Sequence, residues 1–409
     1  MIWIPFIVAA GIFVALFINW LRVAQRVHTA RENLRIRILV VGSRGKSGSV
    51  RLIHSIISGA GIPTYAKLTG TVAEEINIDG KVTETLRIGP ISANEMIDVL
   101  IKADRNGAQA AVMECMAVAP ELVAFVQQKI VQAPIVVIPT IRLDHLEDEG
   151  DTLKSIAHSI VDGMQPASHI VTGETNEDVL AIFRNWCRHN DAQFTHVLAG
   201  PDNPEVPGHH PTNVATALAV ASIVGIDRED AIGYFAGVTV EPDAETSWRI
   251  HNNGIDITLS DVGGANDPQS GAEAAFRAVE DVNGDGFVPI LVNRWDRPLR
   301  SLAFANALKA DPRITKVGII GTAFPQTAAA LRRNGFRRDQ IVRLSWFNTV
   351  PTKRALMTLS KLVSPRQRAQ VVMFENIHAF PADRIRDAAH NKGTAIFEGS
   401  TLEERAPHD

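Results

Sequence analysis

Residues 36–47, Ile-Arg-Ile-Leu-Val-Val-Gly-Ser-Arg-Gly-Lys-Ser, leave the chain few folds to choose from. An apolar run of β type stops at Gly42, and a helical pattern (Val50, Ile53, His54, Ile57) then runs to Gly59. A buried strand feeding a glycine-rich turn that opens a helix belongs in an α/β sheet, and such a turn is a phosphate cradle. Glycines let backbone N–H groups curl round a polyphosphate, and the helix N-terminus adds favourable partial charge. Lys46 is expected at the β- and γ-phosphates of ATP and Ser47 on Mg²⁺, with Gly42, Ser43, Arg44 and Gly45 completing the loop. The common spacing, Gly-x4-Gly-Lys, would put glycine at position 40, where Val40 stands.

Past the loop, strand and helix patterns alternate, which predicts an α/β body with a mostly parallel sheet. Helices are expected from 92 or 93 to about 105, at 120–131, from 151, and at 176–189, 212–224 and 228–235. Strands are expected at 109–116, 134–139, 169–172 and 195–198. Periodicity fails across 239–247, around Pro242 and several acidic residues, and the domain boundary is placed there. A second α/β series follows, with strands at 256–261, 289–295, 316–321 and 370–374. Its helices are expected at 271–282, 302–310, 326–333 and 352–362, and the polar tail from Glu403 is expected to fray.

Residues 2–18 carry no charge, and Asn19 and Trp20 close the run. Roughly 19 helical residues reach about 28 Å, close to the hydrocarbon thickness of a bilayer. Trp3 and Trp20 would lie near the two interfaces. A signal peptide and a core helix are the alternatives, but no positive charge precedes the run. Arg22, Arg26, Arg31, Arg35 and Arg37 follow it, so the positive-inside bias predicts an uncleaved anchor in the inner (cytoplasmic) membrane with the body in the cytoplasm. Val23, Val27, Ala30 and Leu34 recur at helical spacing, a stripe for a partner or for the body. The expected organisation is a transmembrane anchor at 1–21, a basic juxtamembrane helix at 22–34, a P-loop ATP-binding domain at 35–240 and a C-terminal Rossmann-like domain at 246–402.

With 409 residues, 45% of them apolar and 21% charged, the chain can build full cores without disulfides. Cys115 and Cys187 make no disulfide framework, and Cys115 reads as a buried hydrophobe rather than a nucleophile. A net charge of −4 gives no nucleic-acid footprint.

Ligands in open α/β sheets gather at the carboxyl ends of strands. Ser47 follows the first strand, Glu114 ends the second and His145 follows the third. Magnesium on a nucleotide needs only one or two protein oxygens. Glu114 is a candidate ligand, against the alternative of a buried carboxylate satisfied by a helix N-terminus. His145, beside Asp144, read alone is better taken as a core or solvent-facing histidine than as a ligand.

The short loop, Glu114, Asp144-His145 and His209-x3-Asn213 follow in order the motifs of Mur-type ATP-dependent amide ligases. Within that superfamily the chain resembles the ligase subunit of poly-γ-glutamate synthase, the PgsB/CapB family. The resemblance is carried by Arg44-Gly45-Lys46-Ser47, Thr69-Gly70-Thr71, Glu114-Cys115-Met116-Ala117-Val118, Asp144-His145, Ala265-Asn266-Asp267, Asn293-Arg294-x-Asp296-Arg297 and Asn376-Ile377-His378. It is dense from about residue 35 to 300 and thinner beyond.

The resemblance implies a Mur-ligase-like ATPase domain followed by a Rossmann-like domain, forming an amide bond through an acyl phosphate. It implies that Lys46 holds ATP phosphates, that Ser47 and Glu114 ligate Mg²⁺, and that His145 serves a second metal. It puts Asn213 near the adenine, and Asp267, Arg294, Arg297 and Arg249 at the nucleotide or the acyl phosphate. It further implies glutamate and a poly-γ-glutamate chain end as substrates, and small integral-membrane subunits as partners; a homo-oligomer stays open. One departure stands out. Where many Mur ligases carry a carbamoylated lysine after the histidine, this chain has Ile160, and Lys154 is out of register. The stretch Asp281-x-Asn283-x-Asp285-Gly286 imitates an EF-hand loop but has Val292 where the glutamate belongs, so a helix-to-strand turn is expected. The rival readings are a ligase for another amino acid, a membrane-tethered P-loop ATPase driving export or assembly, and a nucleotide-binding scaffold.

Overall fold

The computed structural model describes residues 4–397, apart from 71–72, 86–91, 118, 144–149, 151, 167, 239–245, 253–254, 264–266, 274–286, 310–312, 323, 345–357, 364–367, 375–379 and 393. Outside the described residues lie Trp3, Thr71, Val118, Asp144-His145, most of the expected linker, Ala265-Asn266, the EF-hand-like turn, Asn376-Ile377-His378 and the polar tail. The same holds for most of the helix expected at 271–282 and for the first half of the one expected at 352–362. Contacts divide the chain into two units, Met1–Ile141 with Thr152–Thr239, and Arg142–Asp151 with Val240–Asp409.

In the first unit, α1 (Ile4–Asn33) is one unbroken helix. Its large apolar side chains from Ile4 to Leu21 stand exposed, Phe13 by 70% and Trp20 by 62%. From Val23 onward the helix joins the core: Val27, Ala30 and Leu34 are buried. The apolar stripe is therefore spent on the chain's own body. Arg37 fastens the junction by donating to the carbonyls of Leu34 at 2.7 Å, Gln132 at 3.1 Å and Val131 at 3.2 Å.

The elements that follow are β1 (Ile36–Val40), α2 (Lys46–Gly59), β2 (Thr64–Leu68), β3 (Glu74–Ile76), β4 (Val82–Glu84), α3 (Asn94–Arg105) and β5 (Ala110–Glu114). Then come α4 (Pro120–Ala124), which continues into π-helical Phe125–Val131, β6 (Ile135–Ile138), α5 (Leu153–Asp162), β7 (His169–Thr172), α6 (Glu177–His189), β8 (Gln193–His196), α7 (Pro211–Ile223) and α8 (Arg228–Gly233). The eight strands run in the order β4-β3-β2-β5-β1-β6-β7-β8, parallel except for the β2-β3-β4 meander. Strands buried on both faces need near-continuous apolar sequence, and β1, β5 and β6 supply it. Leu39 and Val41 pack with α1, α3 and α4 on one face, while Ile38 and Val40 pack with α2 and α7 on the other. The chain leaves β1 toward the α2 face and β5 toward the α4 face. The two central strands thus open a crevice at their carboxyl ends, the place where such sheets bind ligands.

The second unit holds β9 (Thr246–Asn252), β10 (Ile255–Asp261), β11 (Phe287–Asn293), α9 (Pro298–Ala307), β12 (Val317–Gly321), α10 (Phe324–Arg333), β13 (Ile341–Arg343), β14 (Arg368–Phe374), α11 (Phe380–Lys392) and β15 (Thr394–Phe397). Its sheet runs β13-β12-β11-β14-β10-β9-β15. Strands β10 to β14 are parallel; β9 pairs antiparallel with both β10 and β15. One face packs against α9 and α10 and the other against α11 and residues 359–363. A second crevice therefore lies at the carboxyl ends of β10, β14 and β11.

Candidate active site

Residues 42–47 turn out of β1 with Gly42 at φ +115° and Gly45 at φ +79°. Gly45 is the N-cap of α2 and carries no side chain to satisfy the first helical N–H groups, so these point into the turn. A Cβ on Gly45 would collide with Asn213 Oδ1. Asn213 is 5% exposed at the start of α7, and it packs beneath the loop there. The loop is also pinned from β6: Ser43 N donates to Thr140 O at 3.2 Å, and Arg44 bridges to Thr140. Lys46 Nζ lies over the turn, 2.7 Å from Gly42 O.

Register then brings a carboxylate to the loop. Val40 pairs with Glu114 across β1 and β5, so the first residues of α2 rise beside the tip of β5. Ser47 Oγ donates to Glu114 Oε2 at 2.8 Å, and Thr69 N donates to the same oxygen at 2.9 Å. Glu114 is 3% exposed, so it is buried but satisfied. Gly70 completes the corner: a Cβ there would stand 2.8 Å from Ser47 Oγ, which only glycine avoids. A serine hydroxyl and a carboxylate are hard oxygen donors of the kind magnesium takes, so Ser47 and Glu114 are chemically suited to hold such an ion. Ser47, Glu114 and the loop therefore share one strand-tip crevice.

Two polar groups support this corner that the sequence did not single out. Glu174, 1% exposed just past β7, accepts from Ile141 N at 2.6 Å, Thr140 Oγ1 at 3.2 Å, Thr175 N at 2.8 Å and Asn176 N at 2.9 Å. It fixes the chain leaving β6, the segment that leads toward Asp144-His145. The available signal was an acidic residue two positions past a strand end on the ligand side of the sheet. Beneath Thr69, fully buried Lys67 donates to Thr85 Oγ1 at 2.7 Å and faces Glu75 and Glu95. Burial opposes the Glu75 charge, but the Tyr65 hydroxyl and the Lys102 and Lys67 ammoniums outweigh it and hold the carboxyl below its usual range. In α2 itself, burial, reinforced by the Arg51 charge and opposed by a hydrogen bond to the Thr64 backbone carbonyl, pushes His54 down to about 4.

The second-unit candidates separate. Asp267, 1% exposed, accepts from Ser270 N at 2.9 Å and caps the helical turn of residues 268–273. An aspartate followed by Pro268 is a helix start, and that local geometry turns its carboxylate back onto its own chain. Arg294 makes a two-pronged pair with Asp296, Nε to Oδ1 at 2.9 Å and Nη2 to Oδ2 at 2.6 Å. This hydrogen bonding, with Arg297 adding a weaker pull, holds Asp296 below the usual carboxylate range. Arg297 is the N-cap residue of α9, so it shares the tip of β11 with Arg294. Arg249 sits apart from these tips, midway along β9, 57% exposed and 3.7 Å from Asp256.

Residues 248–391 match the family model described as the poly-gamma-glutamate synthase CapB C-terminal domain. The capsule biosynthesis protein CapB of Bacillus anthracis is 30% identical over 321 residues, covering 75% of this chain and 68% of that protein. The chain belongs to the CapB family. The PGA synthase CapB of Bacillus subtilis (strain 168) is 28% identical over 337 residues, 78% of this chain and 82% of its own length. Among solved structures, the folylpolyglutamate synthase of Mycobacterium tuberculosis complexed with ADP and AMPPCP superposes with a TM-score of 0.61 at 16% identity, covering 88% of this chain and 94% of that one. The bifunctional folylpolyglutamate synthase/dihydrofolate synthase of Yersinia pestis, complexed with AMPPNP and Mn, gives 0.55 at 14%, covering 90% and 93%. The CapB-family chain thus shares the Mur-ligase fold of those synthases.

Proposed function

We infer that this CapB-family chain is an ATP-dependent carboxylate–amine ligase that adds glutamate to a growing poly-γ-glutamate chain. The observation that carries the reading is the meeting of Ser47, Glu114 and the Thr69 amide at the mouth of the Gly42–Ser47 loop. In this reaction class a carboxylate takes the γ-phosphoryl group, ADP leaves, and an incoming amine displaces phosphate to close the amide. Amides of residues 42–47 and the Lys46 ammonium bind the phosphates, while Asn213 keeps the loop in shape. Ser47 and Glu114 would hold Mg²⁺, which would supply positive charge to offset the negative charge of the transferring phosphoryl group. His145 belongs to the same reading as a ligand of a second metal and lies outside the described residues. Arg294 and Arg297, at the ligand edge of the second sheet, are the cations assigned to phosphate or substrate carboxylate. Glu114, buried and fixed by two donors, is oriented before any ligand arrives.

The anchor reading accompanies this. Ile4 to Leu21 inserts into the inner membrane, the arginines that follow keep the body on the cytoplasmic side, and small integral-membrane subunits are its partners. The test is ADP release from membranes carrying the chain and those subunits. Release should require added glutamate and be lost in Lys46→Ala. Substrate-independent release without amide product would instead mark an ATPase, and release indifferent to Lys46→Ala would remove the site.

A further inference from the structure

Helix α1 leaves its exposed apolar stretch at Leu21 and enters the core at Val23 and Val27, so the body begins almost at once. In that short interval a recess of about 310 Å³ opens between α1 and α3. Its walls are Arg22, Gln25, Arg26 and Thr29 from one stripe of α1, facing Ile101, Asp104 and Arg105 at the end of α3. Spacings of three and four residues put the α1 group on a single helix face. Asp104 is the one acid on the wall, and Asn33 Nδ2 holds it at 2.7 Å. Among the described residues no ion pair or side-chain hydrogen bond engages Arg22, Arg26 or Arg105.

We propose that this recess binds the phosphodiester headgroup of an anionic phospholipid. The proposal rests on the reading of Ile4 to Leu21 as membrane-inserted, and depth makes the case. Five residues of helix separate Leu21 from Arg26, about 8 Å of rise. The headgroup layer outside the hydrocarbon is of similar thickness, roughly 5–8 Å on each side. Arg22 and Arg26 therefore stand within it, and α3 brings Arg105 to the same level from a distant part of the sequence. Guanidinium groups are suited to phosphate because their planar donors reach two oxygens at once. Ile101 and the stems of the arginines offer apolar surface to the glycerol end of the lipid. A volume near the lower limit of small-ligand sites suits one headgroup. Three unpartnered cations set against one engaged carboxylate at this depth distinguish the recess from an ordinary solvated surface.

Arg105 makes the test clean, because it is not part of the charge flanking the apolar helix and cannot alter insertion through the positive-inside effect. Full-length chain is placed in nanodiscs of phosphatidylcholine alone or phosphatidylcholine mixed with phosphatidylglycerol, and retained lipid is read by native mass spectrometry. Wild type should leave the mixed discs carrying phosphatidylglycerol selectively, and Arg105→Gln should lower that retention about fivefold. Arg22→Gln/Arg26→Gln should lower it further, while Lys46-dependent ADP release by Arg105→Gln reports an intact fold. Equal retention of the two lipids, or retention unaffected by Arg105→Gln, overturns the proposal. Displacement of the lipid by millimolar inorganic phosphate overturns it in favour of a free-phosphate site. Failure of wild type to float with phosphatidylcholine vesicles would sink the anchor reading itself, a result distinct from flotation without lipid selectivity.

Discussion

Replacing Glu114 by glutamine separates what its carboxylate does for folding from what it does for catalysis. Oε2 accepts two hydrogen bonds, from Ser47 Oγ at 2.8 Å and Thr69 N at 2.9 Å. Thr69 N can only donate, so a glutamine must present its carbonyl oxygen there and turn its NH₂ toward the crevice. Both bonds survive but become neutral, a loss of about 1 kcal/mol each. Against that loss, a carboxylate that is 3% exposed no longer has to be desolvated, a saving of similar or larger size. Net stability should therefore change by less than about 2 kcal/mol. Catalysis has no such compensation. With Glu114 as the proposed metal ligand, the substitution would remove a unit negative charge from the ion and put a donor in its place, and losing one such electrostatic contact typically costs about 3–4 kcal/mol, or 10²–10³-fold in turnover. Thermal melts and Mg²⁺ titrations of ADP release on the same preparation separate the two. The expected outcome is a melting temperature within a few degrees of wild type, turnover down by two to three orders of magnitude, and a raised magnesium requirement. Turnover within tenfold of wild type, or a loss matched by unfolding, would refute the assignment.

Two further outcomes follow from buried charge. The folded-state value of about 4 for His54 lies below its unfolded value near 6.5, so below pH 6.5 the unfolded chain takes up a proton that the folded one refuses. Stability from this group is complete above pH 6.5 and falls by up to about 3 kcal/mol toward pH 4; His54→Leu should flatten that slope in urea melts taken across the interval. In the second unit Arg386 pairs with Asp261 at the tip of β10 and with Asp383 at 2.7 Å, and burial of the guanidinium is outweighed by these two charges. Arg386→Leu strands the Asp261 carboxylate and should cost about 3–5 kcal/mol, and adding Asp261→Asn should recover part of the loss; melts in which the double variant is no better than the single would count against the pair.

The alternation of the central strands was legible because burial on both faces demands an apolar run. Strand β7 stands at 169–172 as its sequence suggests, and β6 lies within the expected 134–139. Other elements were not legible because their polar residues are satisfied by distant parts of the chain or merge with a linker. Strand β2 carries Lys67 with 0% exposure, a residue that local pattern assigns to solvent and that only Thr85, Glu75 and Glu95 make tolerable inside. Strand β9 alternates Trp248, Arg249, Ile250 and His251 as a hairpin partner of β10, and its polar half merged with the aperiodic linker. Helix α11 reads as polar because Arg386 finds its carboxylate 125 residues away. In the site, the sequence identifies the loop and the acidic strand tip separately. The 2.8 Å between Ser47 and Glu114 depends on β5 lying next to β1, a matter of strand order that no local pattern contains.

The continuity of α1 has a mechanical consequence. Only Leu34 and Arg35 separate the helix from β1, and Leu34 is itself buried, so there is no joint between the rod and the sheet. A body mounted this way cannot swivel on a leash. With that rod in lipid, as proposed, the carboxyl edge of the first sheet would be carried at a set height and heading above the membrane.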